Sequence, residues 1–172
     1  MDSVRNRKYS KRFIGDFDLS KNTLEVLDKE LLSQFRNVLR LKSGDEVFLS
    51  DGKNNEAECI IEDIKKDSVV LKISKKFKNI SEPKNNVILF CSLLKRENFE
   101  FVVQKATEVG VSEIVPIITE RTVKLNIKLD RARKIIKEAA EQSGRGVVPK
   151  LHDSVSFSNA VILAEDNDLN FF

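Results

Sequence analysis

Val87-Ile88-Leu89-Phe90-Cys91-Ser92-Leu93-Leu94, followed at once by Lys95, Arg96 and the stretch from Asn98 to Gly110, decides the fold class. The first eight residues form a near-continuous apolar run, the pattern of a strand buried on both faces. From Asn98 to Val109 the period changes. Phe99, Val102, Val103 and Ala106 recur at helical spacing, Glu100, Gln104 and Glu108 align on the outer face, and Gly110 is suited to end the helix. Ile114 to Ile118 reads as the next strand. Asp130 to Ser143 reads as a second helix, with Ile135, Ile136, Ala139 and Ala140 inside and Gly144 at its end. Strand, helix, strand, helix is an α/β signature. Such sheets carry ligands at the carboxyl ends of their strands, which directs attention to Lys95, Arg96, Glu120 and Arg121.

Toward the amino end, Ile80-Ser81-Glu82-Pro83-Lys84-Asn85-Asn86 breaks the pattern with a proline and turn-forming side chains. Residues 81–86 are therefore expected to link a first domain, 1–80, to a second, 87–172. The first is β-rich: Lys11–Ile14, Thr23–Leu27, Val47–Leu49, Ala57–Ile64 and Ser68–Ser74 read as short strands with tight turns, which suggests a small barrel. One helix is expected from Asp28 to Leu39. Leu31, Leu32, Phe35, Val38 and Leu39 form its apolar stripe, while Lys29, Ser33, Arg36 and Arg40 form a polar face with the two arginines stacked four apart. Toward the carboxyl end, Ser156–Glu165 reads as a helix, and Leu169-Asn170-Phe171-Phe172 resembles the opening of a buried strand. The expectation there is that the sequence is the front part of a longer one, with a natural terminus whose last strand docks at a sheet edge as the alternative.

The chain has 172 residues with 30 basic against 27 acidic side chains, so its charge is informative only once it is divided along the sequence. Arg5, Arg7, Lys8, Lys11 and Arg12 face a single acid, Asp2, in the first twelve residues, and residues 95–150 hold twelve bases against eight acids. The last 22 residues carry acids and neither lysine nor arginine. Two basic zones suit phosphate binding, since Lys and Arg beside a polyanion release counterions; a solvated Lys-rich face is the competing reading. Cys59 and Cys91 are the only cysteines and His152 the only histidine, so neither a disulfide framework nor a Cys/His zinc site can be assembled. No apolar run approaches the ~20 residues of a membrane helix and no signal-peptide core follows the basic opening, so the expected compartment is the cytoplasm, without a membrane partner.

Four motifs carry a resemblance. Phe35-Arg36-Asn37-Val38-Leu39-Arg40-Leu41, then Gln104-Lys105-Ala106-Thr107-Glu108-Val109-Gly110-Val111, then Pro116 through Glu120-Arg121, and last Glu138-Ala139-Ala140-Glu141-Gln142-Ser143-Gly144-Arg145 with Val148-Pro149, resemble the RsmE family in the right order across nearly the whole chain. Members of that family are methyltransferases acting on N3 of a uridine in 16S ribosomal RNA. The resemblance implies a PUA-like N-terminal β-barrel that holds RNA and an α/β SPOUT domain whose trefoil knot binds S-adenosylmethionine. It also implies a homodimer and the small ribosomal subunit as partner. The family's Gly-Pro-Glu-Gly-Gly and Leu-Arg-x-Glu-Thr cofactor loops occur nowhere in the sequence and are expected beyond Phe172. The SPOUT domain is thus expected to be incomplete, its knot missing and its cofactor segment absent. Val147 stands where the family commonly has a second arginine.

Expected RNA contacts are Arg5, Arg7 and Arg12 on an N-terminal arm, Arg36 and Arg40 on the first helix, and Lys95 and Arg96 after the first strand of the second domain. Each has a plain alternative in a solvated face. Gln104, Glu108, Arg121, Glu138, Gln142 and Arg145 are further candidates by motif. Arg121, after a strand end, could meet a phosphate or cofactor group, with a surface ion pair to Glu120 or another acid as the alternative. Glu138, Gln142 and Arg145 are read along one helical side, where a structural network is the alternative. No residue stands out as the base that takes the N3 proton, and His152 is read as a surface residue. The alternative function is a non-catalytic RNA-binding module; an unrelated acid/base hydrolase is a distant third, since no carboxylate pair stands out.

Overall fold

The computed structural model describes residues 11–122, 128–165 and 167–171, which fall into two compact units, one of residues 1–82 with 141–147 and one of residues 83–140 with 148–172. In the first, β1 (Arg12–Ile14), β2 (Thr23–Val26), β3 (Glu46–Ser50), β4 (Asn55–Ile64) and β5 (Val69–Lys78) form one sheet in the order β1-β3-β4-β5-β2. β1 runs parallel to β3 and the remaining pairs are antiparallel. Strict alternation puts Leu24 and Val26, Val47 and Leu49, and Val69 and Leu71 on the inner face. Register shifts between β4 and β5, at Glu58/Cys59 and at Ile61/Asp63, bend the sheet around that face.

Phe35 plugs the barrel. It is fully buried and packs edge-on against Phe13 with ring centroids 4.5 Å apart. Its segment departs from the expected continuous α-helix. Asp28 caps α1 (Lys29–Ser33) through its carboxylate, which accepts from Leu31 N at 2.7 Å, and the chain then widens into a π-helical turn, Gln34–Val38. Leu39 N bonds Gln34 O at 2.9 Å and Leu41 N bonds Phe35 O at 2.8 Å. A wider turn advances less per residue, so Val38 and Leu39 rotate out of the apolar stripe and are exposed, at 71% and 39%. Leu41 returns to the core, because Arg40 adopts a left-handed φ of +51°.

The second unit contains a parallel sheet in the order β6-β7-β8, with β9 also on β7: β6 is Ile88–Ser92, β7 Glu113–Ile118, β8 Lys150–Leu151 and β9 Val155–Ser156. α2 (Arg96–Glu108) follows β6, α3 (Leu129–Ser143) follows β7, and α4 (Phe157–Ala164) follows β9. Phe99, Val103 and Ala106 of α2 pack with Ala132 and Ile136 of α3 and with Ile114 of β7. Gly110 ends α2 at φ +101°, and a Cβ there would lie 2.6 Å from Pro83 Cγ, so both conformation and space require glycine.

Two expectations fail in this unit. β6 is only half-buried, because it stands at the end of the described strand order with β7 as its one neighbour. Leu169 to Phe171 forms no strand; Leu169 and Phe171 are 69% and 88% exposed, and Phe172 lies outside the described residues. Among the described residues, no helix is long and apolar enough to cross a membrane.

Candidate nucleic-acid interface

The structure sorts the described basic candidates into inward-turned and exposed side chains. Arg5 and Arg7 lie outside the described residues. Arg12 does not belong to an arm: it is a residue of β1 whose guanidinium, nine-tenths buried, pairs with the buried carboxylate of Glu56 and donates to the Arg145 carbonyl at 3.1 Å. A burial this deep needs a partner, since an ion in a low-dielectric interior loses several kcal/mol of hydration. Arg36 is likewise turned inward. Its Nη1 donates to the Lys66 carbonyl and its Nη2 is buried, so it pins the turn between β4 and β5. Arg40 is exposed at the mouth of the π-helical turn, and the two arginines are not stacked on one helical face as expected.

Arg145 sits past the end of α3, not on a helical side with Glu138 and Gln142, both of which are exposed on that helix. Its guanidinium is buried and meets Glu82 through Nε at 3.0 Å and Nη2 at 2.9 Å. Glu82 Oε1 also accepts from Gly146 N at 2.6 Å and Val147 N at 3.1 Å. Burial pushes the Glu82 carboxyl up, but the hydrogen bonds and charge of Arg145, with the two amides, outweigh it and hold the group below the usual carboxylate range. Around this pair the segment 141–147 is tied to the barrel at several points. Ile14 N donates to Glu141 at 2.8 Å, Asn79 Nδ2 donates to Gly144 O at 2.9 Å and to Glu56, and Asn54 N donates to Gly146 O at 2.8 Å. Gly146 is obligatory in that clasp, since a Cβ would come within 2.4 Å of Asn79 Cβ.

In the second unit, Lys95 and Arg96 are both exposed, Lys95 as the residue before α2 and Arg96 as its first residue. Arg96 Nε donates to Glu100 Oε1 at 2.9 Å, one helical turn on, and Arg131 Nε of α3 donates to the same oxygen at 2.6 Å. The Arg131 and Arg96 hydrogen bonds hold the Glu100 carboxyl below its ordinary range, and Glu100 raises Arg131 in turn. Gln104 Nε2 donates to Glu108 at 3.1 Å, and Lys105 Nζ lies 2.8 Å from Glu108, which its hydrogen bond keeps ionised. A carboxylate so held is a poor proton acceptor. Arg121 is exposed in the turn after β7 and makes no ion pair with Glu120. His152 is not a plain surface residue: its Nε2 lies 2.6 Å from Glu113. Sequence reasoning passed over Glu82, Glu56 and Arg131. The i, i+4 spacing of Arg96 and Glu100 was visible, whereas Arg131 joins that pair only through the packing of α2 on α3.

Comparison with known proteins places this geometry in context. The RNA methyltransferase domain family matches residues 81–172, and the RNA methyltransferase PUA domain family matches residues 35–74. Ribosomal RNA small subunit methyltransferase E of Bacillus subtilis (strain 168) is 32% identical over 138 residues, 77% of this chain and 54% of its own length. The protein of that name from Rickettsia conorii is 24% identical over 165 residues, covering 96% of this chain and 66% of its own. Among solved structures, ribosomal RNA small subunit methyltransferase E of Neisseria gonorrhoeae bound to S-adenosyl methionine superposes with a TM-score of 0.81 at 28% identity, over 89% of this chain and 65% of that one. The chain spans about half the length of the Bacillus relative and two thirds of the Rickettsia one.

Proposed function

From the premise that the chain belongs to the RNA methyltransferase family of RsmE type, a PUA-like barrel followed by an α/β SPOUT domain, we propose that its protein transfers a methyl group from S-adenosylmethionine to N3 of a uridine in 16S ribosomal RNA. The carrying observation is that both family matches fall in order along the chain, the PUA match inside the barrel unit and the methyltransferase match over the whole α/β unit and the barrel-unit residues 81–82 and 141–147. The barrel holds RNA, with Arg40 at its surface, and Lys95, Arg96 and Arg121 supply positive charge at the carboxyl ends of β6 and β7. The partner is the small ribosomal subunit, the assembly a homodimer and the compartment the cytoplasm.

Arg40 supports the RNA reading by its backbone. A left-handed φ costs a non-glycine residue roughly 1–2 kcal/mol, yet an exposed arginine occupies the position where glycine is cheapest. Strain kept at an exposed charge is reasonably assigned to binding. N3 is engaged in a paired helix, so the target base must be splayed from its partner, and the phosphates beside it are what arginines can hold.

S-adenosylmethionine supplies the methyl group. The purine and sulfonium need an enclosing, partly apolar wall; at the ends of β6 and β7 exposed Leu94 and Ile118 stand beside the exposed charges Lys95, Arg96, Glu120 and Arg121, an open surface, so these residues alone do not enclose the cofactor. Methyl transfer is tested with radiolabelled S-adenosylmethionine and unmodified 16S ribosomal RNA, followed by nucleoside analysis. Label in 3-methyluridine supports the proposal. Label in another nucleoside overturns the N3 assignment, and RNA binding without label favours the non-catalytic module.

A further inference from the structure

We propose that Arg96 and Arg131, set side by side by Glu100, form a fork that grips one phosphate of the RNA, with Arg131 a binding residue and Glu100 its positioning residue. The proposal rests on the reading that this chain holds RNA and adds a site to it. Both guanidiniums use their Nε edge on a single oxygen, Glu100 Oε1, at 2.9 and 2.6 Å. The carboxylate lies beneath them at 19% side-chain exposure, while Arg96 and Arg131 remain 57% and 53% exposed. Two like charges are therefore held within the span of one acceptor, with one negative charge between them. Such a set is electrically unsatisfied and becomes neutral when one further anion arrives in front of the arginines. The planar guanidinium offers further N–H donors, which suit the oxygens of a phosphate better than a single ammonium would.

The surroundings agree. Arg96 opens α2 just after β6 and Arg131 stands in the first turn of α3, so the fork lies near the carboxyl end of β6. Lys95 adds a third exposed positive charge beside it. The nearby acids are engaged or peripheral: Asp130 pairs with Arg133 at 2.9 Å, Glu97 is exposed in the first turn of α2, and Glu138 acts on Arg131 at longer range. An ordinary surface ion pair would match one acid with one base; here two bases share one acceptor oxygen, with Glu138 acting only at longer range.

Fluorescence anisotropy of a labelled 16S ribosomal RNA transcript, titrated with the full chain across a salt series, tests the fork. One phosphate contact to a flexible RNA strand contributes a slope of about −0.7 in log K against log salt, equivalent to about fivefold in affinity at roughly 0.1 M salt. Arg131→Gln is expected to lose that slope and that affinity. Arg131→Lys, which keeps the charge but not the fork, is expected to keep the slope and lose part of the affinity. Glu100→Ala separates the fork from bulk charge. Removing an acid should tighten RNA binding if only net charge matters, but weakens it if Glu100 aligns the arginines. Arg131→Gln indistinguishable from the parent chain, or tighter binding by Glu100→Ala, overturns the fork and leaves the RNA reading intact. A parent chain with no salt-dependent RNA binding overturns the RNA reading itself, and the fork with it.

Discussion

Glu82→Ala is the most informative single change in the barrel unit. In the folded chain its carboxylate is the shared acceptor for Arg145 Nε and Nη2 and for the amides of Gly146 and Val147. Side-chain exposures of 6% for Arg145 and 18% for Glu82 leave water little access to either charge. Truncating Glu82 removes the carboxylate that this buried guanidinium meets through Nε and Nη2, and breaking a buried pair typically costs 3–5 kcal/mol; because Glu82 retains some solvent contact, about 3 kcal/mol is expected. At a urea dependence of about 2 kcal/mol/M, the barrel's midpoint falls by about 1.5 M. The assay is urea unfolding followed by far-ultraviolet circular dichroism. A second variant tests the cause. Glu82→Met combined with Arg145→Met removes both charges, and it should be more stable than Glu82→Ala, since paired apolar replacements avoid burying the Arg145 charge without this counter-ion. A loss below about 1 kcal/mol for Glu82→Ala, the range of an exposed ion pair, or a double variant no better than the single one, would refute the reasoning.

Other consequences are equally open to measurement. The Glu82 carboxyl has a lowered folded-state pKa, so its stabilisation is fully present above the unfolded value near 4.5 and is lost as pH falls through the folded value; melting temperatures from pH 6 to 3 should decline less steeply in Glu82→Gln. Gly146→Ala forces a Cβ against Asn79 Cβ and should cost about 1–3 kcal/mol in the same urea assay, with no loss telling against the tight clasp. Arg40→Gly should relieve a left-handed backbone and stabilise the fold by roughly 1 kcal/mol while weakening RNA binding; tighter or unchanged RNA affinity would remove Arg40 from the interface. Burial pushes the Cys59 thiol up to about 12, so iodoacetamide should spare Cys59 in the folded chain and modify it in urea, as read by peptide mass spectrometry.

Local periodicity carried most of the architecture. The alternation of Leu24 and Val26 and the stripe Phe99, Val103, Ala106 are one-dimensional signals of a buried face, and they correspond to β2 and α2. The π-helical turn was not legible, because Val38 and Leu39 continue the helical spacing and only the packing of Phe35 and Leu41 in the barrel decides that they turn outward. β6 misled for a related reason: an apolar run shows that a strand can be buried on both faces, and the strand order decides whether it is. Among the site candidates, residue type suggested RNA contact for Arg12, Arg36, Arg40 and Arg96 alike and offered a phosphate or cofactor contact for Arg121, while Arg145 was a candidate by motif. Only the fold separates Arg12, Arg36 and Arg145, whose guanidiniums serve Glu56, Lys66 O and Glu82, from Arg40, Arg96 and Arg121, which face solvent. Glu82 lies 63 residues from Arg145, and no local pattern pairs them.

The salt dependence of binding between the unaltered chain and a 16S ribosomal RNA transcript tests the central claim most directly. With Lys95, Arg96 and Arg131 each engaging phosphate, log K should fall against log salt with a slope of about −2 or steeper. Affinity that stays flat as salt rises, or no affinity at all, would contradict the account.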